Sequence, residues 1–397
     1  MKSKYTITKI TCYIGYVVQA VINNFLPILF IVFQDIYGLG YEKLARLIAV
    51  NFITQIVTDI LTPKIVNKIG YRKAIIICQA SASAGLLMFG ILPRFVNHIY
   101  PVIVVSIMVY AFGSGLIEVL FSPVIEHLPI ENKSGNMSLL HSFYCWGQAF
   151  TIIVTTALVS LFGFNGWANI PLIWAILPFI DMLLFIKAPI VEPEAEEKEQ
   201  GFKELFKNRR FRLYMLMMLC AGASEIAMAE WASMFAQQSL GVSKVIGDLT
   251  GPCLFAVFMG AGRIWYAAVS EKVSFIKTIV VLNSVCTACY LGVAFCKIPV
   301  LALVFCAICG FTVSVSWPGI YSLGAASFPK GNAVMYSTFA FCGDMGCCLG
   351  PWVLGIVAEF FGLNTGFAVS AVFPLTMVAA SLLSVKKDCK NSKNSVK

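Results

Sequence analysis

The sequence predicts an all-α membrane protein: twelve transmembrane helices in two pseudo-symmetric six-helix halves. Three observations predict it. The 397-residue chain is 59% hydrophobic and 12% charged, where soluble domains carry about 25% charged residues. Apolar runs of the roughly 20 residues that cross a bilayer as a helix recur along its whole length. Lys and Arg are sorted between alternate loops, the positive-inside pattern of multi-pass proteins.

The runs place spans at about 10–33, 44–63, 74–93, 100–125, 137–162 and 168–187. Six more follow at about 212–237, 249–269, 276–295, 299–325, 334–359 and 363–385. The first is too long for a cleaved leader, and "AVINNFLPILF" offers no small-residue cleavage site. With both termini in the cytosol, 24 of the 29 Lys and Arg fall on the inner side. The net charge of +9 is then explained by topology, with no nucleic-acid patch. The cysteines lie almost wholly in spans, where a thiol behaves as a small apolar group. Cys286 with Cys289 and Cys306 with Cys309 therefore read as packing residues.

Domain bounds follow from composition. Residues 1–187 form the first six-helix half and 212–385 the second, joined by a cytoplasmic linker, 188–211, with a tail at 386–397. The linker opens with the acidic run Glu192 to Glu199. It closes with a basic stretch interleaved with Phe202, Leu205, Phe206 and Phe211, suited to the inner membrane surface. The halves echo each other: "FGFNGW" ends the fifth span and "FGLNTGF" the eleventh, Gly147 and Gly346 precede those motifs at equal distance, and Ser122-Pro123 matches Trp317-Pro318. Internal repeats of this kind mark carriers that rock one half against the other.

The polar residues inside the spans carry the chemistry. Glu118 lies within "GSGLIEVLFSP", where a carboxylate costs roughly 2.5–3.5 kcal/mol on insertion scales. Ser114, Glu118 and Ser122 share one helix face at i, i+4 and i+8. The face is either part of a cavity or half of an ion pair pinning helices. Tyr16, Gln19 and Asn23, with Asn24, line the first span, and His141, Tyr144 and Gln148 the fifth; interhelical hydrogen bonding is the plainer reading of both. In the seventh span Glu225 and Glu230 are turned about 140° apart. Glu225 is the deeper, beside Trp231, while Glu230 is expected to reach water near the outer end. Trp317 and Tyr321 in the tenth span and Asp344 in the eleventh complete the set, Asp344 being also a possible partner of Arg263. Asp59 and Asp181 read as structural charges near the inner ends. No soluble-enzyme motif and no nucleotide-binding loop is present, so no catalysis and no ATP motor are expected.

These residues resemble the major facilitator superfamily, and within it the fucose permease-like sugar transporters. The likeness is carried by "AVINNFLPILF", by "GSGLIEVLFSP" followed by "NMSLLHSFYCWG", and by "GASEIAMAEW", "VSVSWPGIYSLG" and "GPWVLGIVAEFFG". The branch's fourth-span pattern G-x-G-x-x-E-x-x-x-N-P is met by Gly113, Gly115, Glu118 and Pro123, with Ser122 in place of Asn. The resemblance implies that Glu118 serves proton-coupled sugar transport and that Glu225 and Trp231 match functional positions of the seventh span. Two departures stand out. Pro27 occupies the place of the branch's first-span aspartate. The superfamily loop motif survives only as "PKIVNKIGYRK", keeping Lys68, Gly70, Arg72 and Lys73.

The expectation is therefore a plasma-membrane carrier, of the bacterial inner-membrane kind and monomeric. It moves a small polar solute, a sugar or polyol, by alternating access. It uses no cofactor beyond the proton gradient, and its partners are the substrate, protons and lipid. Glu118 and Asp344 are the proton-coupling candidates. Asn23, Asn24, Ser114, Ser122, His141, Tyr144, Glu225, Trp231, Trp317 and Tyr321 are the substrate-binding candidates, and Lys68, Gly70, Arg72 and Lys73 form a gating loop. The alternatives are a proton-driven exporter of amphiphilic compounds and a non-transporting membrane sensor or assembly protein.

Overall fold

The structure, a computed structural model, describes residues 5–129, 133–190, 202–269, 273–328 and 332–385. All regular structure among them is helical. Eleven helical stretches are long and apolar enough to cross a membrane, and the bent pair Thr6–Ile28 and Phe30–Tyr37 makes a twelfth. Each expected span is met by one of them. The eighth begins at Lys244, five residues before the apolar run suggests, because a Lys and an Asp occupy its first turns.

The chain folds into two compact units. The first holds 1–195 and, from further along the chain, Lys244–Leu249; the second holds the remainder. The first unit contains α1 (Thr6–Ile28), α2 (Phe30–Tyr37), α3 (Tyr41–Ile69), α4 (Tyr71–Ile91), α5 (Ile99–His127), α6 (Lys133–Phe162), α7 (Ile170–Trp174) and α8 (Ile176–Lys187). In it α1 packs on α5, α6 and α8, α4 on α5 and α8, and α3 on α5. Pro27 has no N–H for the carbonyl of Asn23, so the α1 ladder weakens there. The chain bends by 40° between α1 and α2. Beside this bend an aromatic core forms from Phe25, Phe33, Phe89, Tyr110 and Trp167, with Phe33 and Trp167 edge to face at 4.9 Å.

The second unit starts with α9 (Phe202–Lys207) and α10 (Arg209–Gln238). The Asn208 side chain accepts from the Arg210 amide at 2.9 Å. This cap starts α10 three residues before the apolar run does. Arg212 donates to the carbonyls of Phe206 and Lys207, closing α9. After α11 (Lys244–Asp248), which packs on α6 in the first unit, the second unit resumes. It continues with α12 (Leu254–Val269), α13 (Phe275–Phe295), α14 (Pro299–Val313), α15 (Ser316–Ser327), α16 (Asn332–Phe361), α17 (Leu363–Ser370) and α18 (Val372–Val385). Here α10 packs on α16 and α18, and α14 on α12 and α13. Its core stacks Phe211 on Phe339 at 5.2 Å, with Tyr214 and Phe328 alongside.

The echoes in the sequence have matching local roles. Gly163 and Gly362, the motif glycines, both have positive φ, 66° and 83°. A side chain there would strain the turn. A Cβ on Gly147 would fall 2.9 Å from Ala20 Cβ in α1, and one on Gly346 would collide with the Leu219 carbonyl in α10. Each glycine thus lets its helix press on the first long helix of its own unit. Large apolar side chains face outward, among them Phe95, Leu161, Phe295, Phe360 and Phe361. That surface suits lipid. Cys286 and Cys309, one from each CxxC pair, meet as buried thiols with their sulfurs 3.6 Å apart.

The acidic run 192–199, the tail 386–397 and the side chain of Ser122 lie outside the described residues.

Candidate functional site

In the first unit α1, α3, α5 and α6 bring their polar residues into one hydrogen-bonded network. Asn23 is its hub. Its Oδ1 accepts from Asn51 Nδ2 and from Gln55 Nε2, both at 3.0 Å. Gln55 Oε1 in turn accepts from Ser114 Oγ at 3.0 Å. The amides of Asn23 and Asn24 both point at the Tyr144 hydroxyl, 3.5 Å away, a long contact by ordinary geometry. Beside this chain Gln19 Nε2 donates to Glu118 Oε2 at 2.9 Å. The two glycines of the Glu118 stretch seat α5 closely on α4 and α3: a Cβ on Gly113 would meet Cys78 O at 2.6 Å, and one on Gly115 would meet Thr58 Cβ at 2.9 Å.

Glu118 is partly exposed while Gln19, Asn23, Asn24 and Ser114 are buried. Among the described residues Gln19 is its one hydrogen-bond partner, and no salt bridge reaches it. His141 is exposed, with its ring edge to face against the buried Tyr16 at 5.1 Å. The network thus gathers Asn23, Asn24, Ser114 and Tyr144 around two amides not expected from the sequence, Asn51 and Gln55, while the Gln19–Glu118 pair and the His141–Tyr16 contact stand apart from it. The signal for Asn51 and Gln55 is an i, i+4 amide pair on one face of an apolar span.

The second unit is less convergent. Glu225 is buried in α10, and the charge of Arg263 on α12 reaches it. Tyr290 OH holds the neighbouring Ser224 carbonyl at 2.7 Å. Glu230 is only 2% exposed, so it does not reach water as expected. Trp231 is fully enclosed, and its indole N–H donates to Pro351 O at 3.1 Å. That ties α10 to α16 and leaves no ring face for a ligand in this structure. Trp317 is partly exposed, lies over Gly343 of α16 and sits 6.4 Å from the Tyr321 ring, centroid to centroid. Asp344, the next residue of α16, is buried.

The α3–α4 loop turns on Gly70, whose φ is 80°. Lys68 and Lys73 are exposed. Arg72 folds onto α8: its Nη1 donates to the carbonyls of Phe185 and Ile186, each at 3.0 Å. It therefore caps the last turn of α8 within its own unit, where the helix leaves carbonyls unsatisfied. Asp181, midway along α8, is completely buried and bonded to Gln79.

The sequence matches the family described as Major Facilitator Superfamily over residues 12–351. None of the curated proteins matches it in sequence. Among solved structures it is similar to the E. coli fucose:proton symporter FucP, at 18% identity and a TM-score of 0.67, over 96% of this chain and 99% of that one. It is similar to a D-xylose-proton symporter at 16% identity and a TM-score of 0.74, over 97% and 98%. A bacterial homolog of the human lysosomal transporter Spinster, in an inward-facing and occupied conformation, aligns at 12% identity and a TM-score of 0.79, over 97% and 98%.

Proposed function

Because the chain belongs to the major facilitator superfamily, a family of transporters, we propose that it carries a small polar solute, a sugar or related polyol, in symport with protons. Glu118 carries this reading. It is an intramembrane acid with some access to solvent, held by the Gln19 amide and in no salt bridge among the described residues. An uncompensated carboxylate in such a place is a functional group by default. It can be neutralised by a proton and recharged when the proton leaves.

The network beside it suits a polyhydroxylated ligand. Asn23, Asn24, Asn51, Gln55, Ser114 and Tyr144 supply uncharged donors and acceptors, the complement of sugar hydroxyls. In the second unit the partly exposed Trp317 and Tyr321 are proposed separately as stacking residues. An amphiphilic cargo would call for an apolar lining in place of these amides. Two of the similar structures are named as sugar:proton symporters, which agrees with the reading. Glu225 and Asp344 are proposed as substrate ligand and charge-balancing group. The membrane is proposed to be the plasma membrane with both termini inside, from the Lys and Arg distribution.

The driving force is sufficient. One proton falling through about 100 mV and one pH unit releases roughly 2.3 plus 1.4 kcal/mol, enough for roughly 500-fold accumulation of a neutral solute. The test is uptake into proteoliposomes of a panel of sugars, polyols and amphiphiles under a pH gradient of either sign. Uphill accumulation of a sugar that Glu118→Gln abolishes, with equilibrium exchange retained, is the expected result. Full active uptake by Glu118→Gln removes that acid from the mechanism. Transport of amphiphiles alone removes the sugar.

A further inference from the structure

Asp181 of α8 and Gln79 of α4 are both completely withdrawn from solvent. Gln79 Nε2 donates to Asp181 Oδ2 at 2.7 Å. The other oxygen of each group, Asp181 Oδ1 and Gln79 Oε1, has no hydrogen-bond partner among the described residues. As a carboxylate and an amide, the pair leaves two buried acceptors unsatisfied and one buried charge with a single hydrogen bond. Both are costly away from water.

The surrounding elements supply no counter-charge. From α1 and α4 the thiols of Cys12 and Cys78 lie within electrostatic reach of Asp181. From α5, Phe121 meets Phe185 of α8 at 5.1 Å; α7 carries no titratable side chain. Arg72 is engaged with the Phe185 and Ile186 carbonyls, Lys73 and Lys187 are exposed, and Lys9 is half-buried. None of these bases acts on Asp181. Glu118 is bonded to Gln19.

We propose that Asp181 and Gln79 form a proton-binding site, in which Asp181 Oδ1 carries a proton and donates it to Gln79 Oε1 while Gln79 Nε2 donates to Asp181 Oδ2. This closes a two-bond acid–amide ring. A single proton satisfies both open oxygens and removes the buried charge at the same time. No other simple ligand does this. A hard metal cation takes about six or more oxygen ligands, and here two oxygens are open and the neighbouring groups are thiols. The site is separate from Glu118 and does not depend on coupled transport. Its proton is sealed in this conformation, and exchange requires water to reach the α4–α8 junction.

The test is infrared spectroscopy of the full chain in nanodiscs at neutral pH, reading the deuterium-sensitive C=O stretch of a protonated carboxylic acid. The band is expected in the wild type and in Glu118→Gln, and is expected to be lost in Asp181→Asn. That variant should keep its thermal midpoint, since the Asn amide closes the same ring with Gln79. Gln79→Leu should retain the band at a shifted frequency, because the acid keeps its proton and loses its acceptor; it decides the matter even where Asp181→Asn does not accumulate. Loss of an ionised carboxylate band in Asp181→Asn, or an unmoved acid band in Gln79→Leu, overturns the proposal. So does a carboxylate band at Asp181 that appears only with sodium.

Discussion

Lys244 Nζ donates at 2.7 Å to the carbonyl oxygen of Ile28, the last residue of α1. The bend at Leu29 interrupts the backbone ladder at this point, and the ammonium takes up the carbonyl left there. The same ammonium pairs with Asp248 at 2.9 Å, and Asp248 also accepts from Thr156 Oγ1 at 2.8 Å. The Lys244 side chain is 13% exposed and that of Asp248 not at all. Removing one partner of a buried pair leaves the other uncompensated, at about 3 kcal/mol. Lys244→Met should therefore lower the thermal midpoint in detergent markedly, and Lys244→Met with Asp248→Asn should recover part of the loss. Additive effects would show that the two side chains do not act as a pair.

Asn23 gives a second expectation. Its Oδ1 serves two donors at once, so Asn23→Leu strands Asn51 and Gln55. Each buried group left unsatisfied costs about 1–3 kcal/mol. Asn23→Asp retains the double acceptor and should be the more stable variant, with Tyr144 able to donate in place of accepting. Thermal unfolding of the two proteins side by side gives the order, and solute binding should fall in the Leu variant. Equal stability of both would mean that the hub is not formed.

The two tryptophans of the second unit should separate by what they change. Trp231→Phe loses the bond to Pro351 and should cost about 1 kcal/mol of stability with solute affinity kept. Trp317→Ala should weaken solute binding several-fold, since its ring is the accessible one. Binding titration and unfolding on each variant check the assignment, and the reverse pattern would exchange the roles.

In the α3–α4 loop Arg72→Gln is expected to loosen the end of α8, by about 1–2 kcal/mol for a charge-assisted bond to carbonyls. The exposed Lys73→Gln should leave stability unchanged. Hydrogen exchange of the amides in the last turn of α8 reads the difference directly. Equal protection in both variants would restore the latch role expected from the motif.

Much of the fold is legible in the sequence because it depends on local properties. A run of apolar residues becomes a helix in lipid, since every backbone group must be satisfied within its own segment. Gly163 and Gly362 mark the turns because positive φ is a property of one residue. Gly147 and Gly346 mark close helix pairs because only a missing side chain admits a neighbouring backbone. The Ser114–Glu118 face was readable from spacing alone.

What the tertiary structure decided is which polar groups meet. Gln79 and Asp181 stand 102 residues apart and Lys244 and Ile28 216 apart, and no periodicity connects them. The same is true of Asn51 and Gln55 converging on Asn23, of Arg72 folding back on α8, and of Trp231 being enclosed while Trp317 stays partly exposed. A 3.6-residue period tells which residues share a face of one helix. It does not say how that helix is rotated, or how far it has slid along its neighbour. A hydrogen bond tolerates only a few tenths of an ångström in distance, so rotation and slide decide every contact of the site.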